Sequence, residues 1–265
     1  MSFRAYLDES EEPGAAIFSV GGFLAKAGVW EELQPKWLAA LPAGISYFHA
    51  TDCFGGHGEF SGIDIPERIR LLDALTDLIL GHEIFLIAGT LLIPIYEELA
   101  PKRLQNDFGG NKYCAPFEFA IERACLALDD SPEPRDIAEE CAFFIERNQY
   151  SESAQRTIRQ LRSDEHLWWR NRIGIDTYGT KTGPDAIPLL QVADLGAFLS
   201  AKSVAKARQG KISWWQYLRK LATDNRLLGI THCDANSLKT MYAVHQIMET
   251  ESAGGKWADE ESEKP

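Results

Sequence analysis

At 265 residues with 45% hydrophobic content, the chain is long enough to bury a core as one large domain. A net charge of -12 argues against broad, non-specific binding to nucleic acid. It leaves open a local basic track, or an acidic pocket that holds cations.

The most apolar stretch, Ile84 to Ile95, is broken by Gly89, Thr90 and Pro94. It is shorter than the roughly 20 apolar residues a bilayer-spanning helix needs, so no membrane partner is expected. The sequence opens with no basic segment followed by an apolar run, and a cytoplasmic protein is the expectation. Cys53, Cys114, Cys125, Cys141 and Cys233 are scattered, odd in number and without a Cys-x-x-Cys pair, which predicts free thiols.

The opening stretch Phe3 to Ser10 alternates Phe3, Ala5 and Leu7 with Arg4, Tyr6 and Asp8, the period of a strand. The strand is expected to end in the acids and turn formers from Ser10 to Gly14, delivering Asp8 and Glu9 to its carboxyl end. Ala15 to Leu24 is apolar and β-rich and completes an antiparallel hairpin, with Gly21-Gly22 as a bulge or twist. Trp30 to Leu41 predicts a helix with Leu33, Trp37 and Leu38 inward and Pro35 near its first turn. Ile45 to His49 predicts a short strand, followed by an irregular glycine-rich loop over Gly55 to Gly58.

Pro66 to Leu80 predicts a helix from the spacing of Ile69, Leu72, Leu75, Leu78 and Ile79. Ile84 to Ile93 predicts a buried strand, Pro116 to Leu128 a helix, and Asp129 to Pro134 a turn-rich break. Cys141 to Ile145 is an apolar strand that delivers Glu146. Ser151 to Leu161 predicts a helix with Arg156, Arg159 and Arg162 outside, and Ile173 to Tyr178 a last strand. Pro188 to Phe198 begins a helix on which Gln191, Asp194 and Phe198 are neighbours at spacings of three and four. Trp214 to Leu221 and Asn236 to Met248 predict two more helices. The chain after Glu249 carries a strong excess of acids and has the composition of a disordered tail.

Two strands thus end in acids, Asp8-Glu9 and Glu146, and one helix presents Asp194. Carboxylates gathered at a sheet edge repel one another unless a hard cation with oxygen ligands, Mg²⁺ or Mn²⁺, neutralises them. Two such ions about 4 Å apart can hold a phosphate, activate water and stabilise a leaving oxygen. The bland alternative is that the acids are solvated strand ends and caps. His49, Asp52, Cys53 and His57 form a second set of metal-capable groups; a zinc site is one reading, and a His49 facing the acids another. Lys181, just after a strand, either neutralises phosphate charge or is simply exposed. Basic residues interleaved with aromatics, Arg156 to Arg172 around Trp168-Trp169 and Lys202 to Lys220, either contact phosphates or form solvated helix faces. There is no Gly-x-Ser-x-Gly elbow and no phosphate-binding Gly-Lys-Ser/Thr loop, and Gly109-Gly110 lack the setting of a nucleotide fingerprint.

Four segments carry a resemblance: Tyr6-Leu7-Asp8-Glu9-Ser10, Phe48-His49-Ala50-Thr51-Asp52, Ile145-Glu146-Arg147 and Leu190-Gln191-Val192-Ala193-Asp194-Leu195. Together they resemble the motif series of the "domain of unknown function" 3800 family over most of the chain, from Phe3 to about Ser200. The first and last of these are the more specific pair. The family often has an Asp-Glu pair where Ile145-Glu146 stands and a Ser-Lys near Thr180-Lys181.

The resemblance implies a ribonuclease-H-like α/β fold: a mixed sheet flanked by helices, with an insertion over about residues 27–82 and extra carboxyl-terminal helices. On that reading residues 1–250 are a single domain and 251–265 an acidic tail. It further implies a metal-dependent nuclease, with Asp8 bridging the ions and Glu146 and Asp194 completing the ligand set. Glu9 joins only if the strand has ended, because adjacent strand residues face opposite ways. Gln191 either hydrogen-bonds a ligand carboxylate or nucleic-acid backbone, or is a helix-packing amide. The implied partner is nucleic acid. Two rivals remain: a non-catalytic nucleic-acid or protein binding module of a defence or mobile-element system, and a hydrolase of a small phosphorylated molecule.

Overall fold

A six-stranded mixed sheet, in the order β5-β4-β1-β2-β3-β6, runs through the middle of the molecule. The structure, a computed structural model, describes residues 2–99, 112–128, 140–209 and 215–233. The strands are β1 (Phe3–Glu12), β2 (Ile17–Lys26), β3 (Phe85–Leu92), β4 (Cys141–Glu146), β5 (Ile173–Gly179) and β6 (Leu227–Cys233). β1, β2 and β3 are antiparallel neighbours, while β4 and β5 run parallel to β1, and β6 parallel to β3.

The two central strands read as their burial requires. Nine of the ten residues of β2 are buried, so its sequence is a continuous apolar run rather than an alternation. In β1 the alternation sorts side chains between two cores. Phe3, Ala5 and Leu7 pack with the helices Cys114–Ala127 and Ser151–Ser163, and Tyr6 packs with Ala27–Ala40, Ile65–Leu80 and Leu190–Arg208. Arg162, in the last turn of Ser151–Ser163, ties that helix to β5 through the Gly174 carbonyl and Asp176. All five cysteines are free and buried. Among the described residues no helix is long and apolar enough to cross a membrane.

Several expectations need correction. β1 does not stop at Ser10; it stays paired with β2 to Glu12 and turns through a short 3-10 segment, Pro13–Ala15. The ladder to β2 outweighs the turn-forming tendency of the acids. Pro35 lies well inside Ala27–Ala40, not in its first turn. It is exposed, and so is Glu31 four residues before it, so water can take up the carbonyl that proline cannot satisfy.

Leu38 on the same helix is 40% exposed, since the buried stripe of Trp30, Leu33 and Trp37 leaves it one residue off the face. Ile69 is 44% exposed because the first turns of Ile65–Leu80 overhang the core that Leu71, Leu72 and Leu75 enter. The segment 45–49 is not a strand, and the chain after it forms a helix, Ala50–Gly55, and a 3-10 turn, Gly58–Phe60. β6 was not expected at all; every residue of it except Cys233 is only partly buried, so no apolar period marks it. The expectations for Asp129 to Pro134, Gly109-Gly110, the helix Asn236 to Met248 and the acidic tail lie outside the described residues.

Candidate metal centre

The site is built by parallel pairing. Because β4 and β5 run in the same direction as β1, their carboxyl ends arrive at the same end of the sheet. The register sets Tyr6 against Phe144, whose rings stack at 4.7 Å, and Leu7 against Ile145. One step further on, Asp8 stands beside Glu146, where β4 ends. Glu146 pairs with Gly179, and the chain leaving β5 brings in Lys181 two residues later. β1 runs on past this point, and the step between it and the ended β4 opens a cleft of about 420 Å³, lined in part by Asp8, Glu9, Glu146, Lys181 and Asp194.

Asp194 comes from the buried helix Leu190–Arg208, which approaches the sheet where both partners lack side chains. A Cβ at Gly22 would lie 1.8 Å from the Tyr6 carbonyl oxygen and 3.2 Å from the Ala193 Cβ. A Cβ at Gly196 would lie 2.9 Å from the Gly22 Cα and 2.8 Å from the Phe23 ring. The crossing of two glycines therefore lets the helix sit low enough on β1 and β2 for Asp194 to join the strand acids.

Lys181 is the hub. Its Nζ lies 2.7 Å from Asp8 Oδ2, 3.0 Å from Glu146 Oε2 and 3.2 Å from Asp194 Oδ1. Its side chain is only 10% exposed, so this is a buried ion network rather than a surface pair. The second oxygen of Asp194 accepts from the Ala50 amide, and His49 Nε2 is 3.8 Å from the first. His49 Nδ1 is 3.0 Å from Asp52.

The carboxylate whose role was in doubt, Glu9, is part of the cluster. Ligand atoms of Asp8, Glu9 and Glu146 all lie within 4.8 Å of one another, and among the described residues this is the only such grouping of His, Cys, Asp or Glu. Asp194 is not in it, and neither are His49, Asp52, Cys53 and His57, so no zinc-like cluster forms among the described residues. Glu9 starts from the opposite face of β1, but β4 has ended beside it, and Asn148 donates to its carboxylate from the next turn. Asn148 had no motif to announce it; its position two residues after Glu146 was the available signal.

Gln191 lies outside the cleft. Its Oε1 accepts from the Phe48 amide at 2.9 Å and the Trp37 indole at 3.3 Å, which fastens the segment carrying His49 and Ala50 to the helix. Among the described residues, the other basic groups named from the sequence do not line the cleft. Lys202 pairs with Glu12 and Lys220 with Asp73 and Asp77, while Trp169 is buried and Trp168 exposed. Lys181 is the only lysine or arginine among the described residues lining the cleft.

The electrostatics follow from burial. Asp8, 1% exposed, has its carboxyl held well above the usual range, first by burial and then by Glu146 and Asp194 working against Lys181. Glu9 is pushed up to about 7 by burial and by the charge of Glu146. Burial also acts to raise Glu146, but its hydrogen bond with Asp8 and the Lys181 ammonium outweigh it, and its carboxyl is lowered. Lys181 is raised, because Asp194, Asp8 and Glu146 together overcome the burial that disfavours its charge. Of the two neighbouring carboxyls, Asp8 is thus biased toward its neutral form and Glu146 toward its charged form. All the donors facing one another here are oxygens, which suits Mg²⁺ or Mn²⁺ better than zinc.

In comparisons with known proteins, the chain matches no protein family, no curated protein and no solved structure.

Proposed function

We propose that the protein is a divalent-cation-dependent phosphodiesterase acting on nucleic acid, with a ribonuclease-H-like core. The observation that carries this reading is the meeting of Asp8, Glu9 and Glu146 within 4.8 Å at the open end of the sheet. The strand order β3-β2-β1-β4-β5 supports the fold reading, since its first three strands are antiparallel and β1, β4 and β5 parallel. Acids on the central strand of such a sheet stand beside those of its parallel neighbour, where loops can shape a substrate cleft.

Asp8, Glu9 and Glu146 would hold Mg²⁺ or Mn²⁺. When bound, such an ion supplies Lewis-acid stabilisation of phosphoryl charge and makes water more acidic. The chain's own groups would do the rest. Glu146, whose carboxyl is held low, would anchor the charge of the cluster, and Asp8 would bind the ion as a carboxylate. Lys181 offers positive charge to a phosphoryl oxygen, and His49 at the cleft edge would move a proton to or from the reacting oxygens. Phe18 and Tyr150 give the cleft an aromatic wall beside the acids.

The test is cleavage of labelled single- and double-stranded DNA and RNA with Mn²⁺ or Mg²⁺. Asp8→Asn is expected to abolish cleavage, and Asp194→Asn, which removes one partner of Lys181, to lower it. Because each carboxylate faces the buried Lys181 ammonium, some loss of melting temperature is expected, and each variant is compared as the folded protein. Full cleavage by either purified variant would overturn the reading. A cleft of about 420 Å³ is also of a size to enclose a small phosphorylated molecule. Metal-dependent turnover of a small phosphodiester without any cleavage of oligonucleotides would favour that second reading.

A further inference from the structure

We infer that Lys181 is a built-in cation occupying one of the two cation positions of the acidic cluster, so that the site takes a single divalent ion. The inference rests on the metal-site reading above and changes its stoichiometry.

The cluster has two halves, and a resident cation, the Lys181 ammonium, fills one of them. In the half toward Asp194, both carboxylate oxygens are engaged by the chain: Oδ2 by the Ala50 amide and Oδ1 by Lys181 at 3.2 Å. The same Nζ is 2.7 Å from Asp8 and 3.0 Å from Glu146, so one ammonium touches a carboxylate from β1, one from β4 and one from the buried helix. That is the position a shared cation bridging these three acids would take. The other half, Asp8, Glu9 and Glu146, brings three carboxylates within 4.8 Å, and Asp194 is not among them. Here the Glu9 amide donates to Asp8 Oδ1 and Asn148 to Glu9, but among the described residues no lysine or arginine pairs with Glu9, and this is the half left for a divalent ion.

Two features make the lysine a fixture rather than a passing contact. Its side chain is 10% exposed, and Asp8 Oδ2, buried and without a hydrogen-bond partner among the described residues, faces its ammonium at 2.7 Å. Without that ammonium, Asp8, Glu146 and Asp194 would meet with no cation between them, which like charges in a buried site do not tolerate. A lysine carries one charge and cannot activate water as an ion does. Its use is to fix the acids and to present positive charge toward a phosphate without depending on a second ion in solution.

The test is the number of Mn²⁺ ions bound by the full chain, counted by calorimetric titration and by electron paramagnetic resonance. One ion is expected for the wild type and for Lys181→Arg, which keeps the charge. Two are expected for Lys181→Ala, with the magnetic coupling of ions a few ångströms apart. Asp194→Asn should keep one ion and lose about 10–100-fold in affinity, as a group outside the ligand set does, whereas Asp8→Asn removes binding.

Two ions in the wild type, or one in a folded Lys181→Ala, would overturn the inference and leave the nuclease reading standing. Loss of Mn²⁺ in Asp194→Asn as complete as in Asp8→Asn would overturn it even if Lys181→Ala does not fold. One ion in the wild type and two in Lys181→Ala, with no cleavage of any nucleic acid, would support the inference and sink the nuclease reading. No ion at all in the wild type overturns both.

Discussion

Glu9 is the residue at which local geometry and chemistry disagree most. On a regular strand it faces away from Asp8, yet its carboxyl joins the cluster because the neighbouring strand has ended and Asn148 holds it there. Burial and Glu146 move its titration from 4.5 to about 7. The folded form therefore binds this proton more tightly than the unfolded chain does. Stability from Glu9 is fully present below about 4.5 and is lost as pH rises through about 7. Asp8, also raised, acts with the same sign, whereas Glu146, lowered, contributes stability that is lost only in acid, as pH falls through its folded value. Glu118, elsewhere in the fold, is likewise raised to about 7 by burial and adds to the same decline. In metal-free buffer, urea midpoints should fall between about pH 4.5 and 7, and Glu9→Gln should flatten that slope, with Glu118→Gln removing a separate share. A Glu9→Gln profile parallel to the wild type would show that its carboxyl is not held as described.

At the scale of elements, the site depends on how low one helix rides on the sheet. Leu190–Arg208 is buried over most of its length and crosses β1 and β2 at Gly22 and Gly196. Gly22→Ala would drive a Cβ into the Tyr6 carbonyl, which is backbone and cannot turn aside. Gly196→Ala meets the Phe23 ring and the Gly22 Cα. Each should lower stability by about 1–3 kcal/mol, as overpacking does, with Gly22→Ala the worse of the two. Chemical denaturation reads the effect. A Gly22→Ala chain as stable as the wild type would mean that the helix does not sit this close.

For the molecule as a whole, charge limits how a nucleic acid can be held. The net charge is -12, and Lys181 is the only lysine or arginine among the described residues lining the cleft. Few phosphates can be neutralised at once. Oligonucleotide affinity should then fall only gently with salt, with a slope of log K against log salt of about −1 to −2. A slope steeper than about −4 would reveal a basic track away from the cleft, and the acids would no longer define the binding surface.

Much of the fold was legible locally. The strand period of Phe3 to Asp8, the continuous apolar run of β2 and the helical spacing in Ile65–Leu80 each follow from which faces must be buried. Asp8, Glu146 and Asp194 could be named because each ends or sits on a strongly patterned element. β6 escaped notice because a half-buried edge strand carries no clear period, and segment 45–49 misled because a short apolar run is not evidence of a ladder partner. The sequence by itself determined most of the elements and the acids they carry. Only the tertiary structure decided that Glu9 faces Asp8 and Glu146, that Gln191 serves packing, and that Lys181 stands among three carboxylates. These outcomes depend on strand register, on where β4 stops and on how near the helix comes, and none of those distances is set by residues adjacent in the chain.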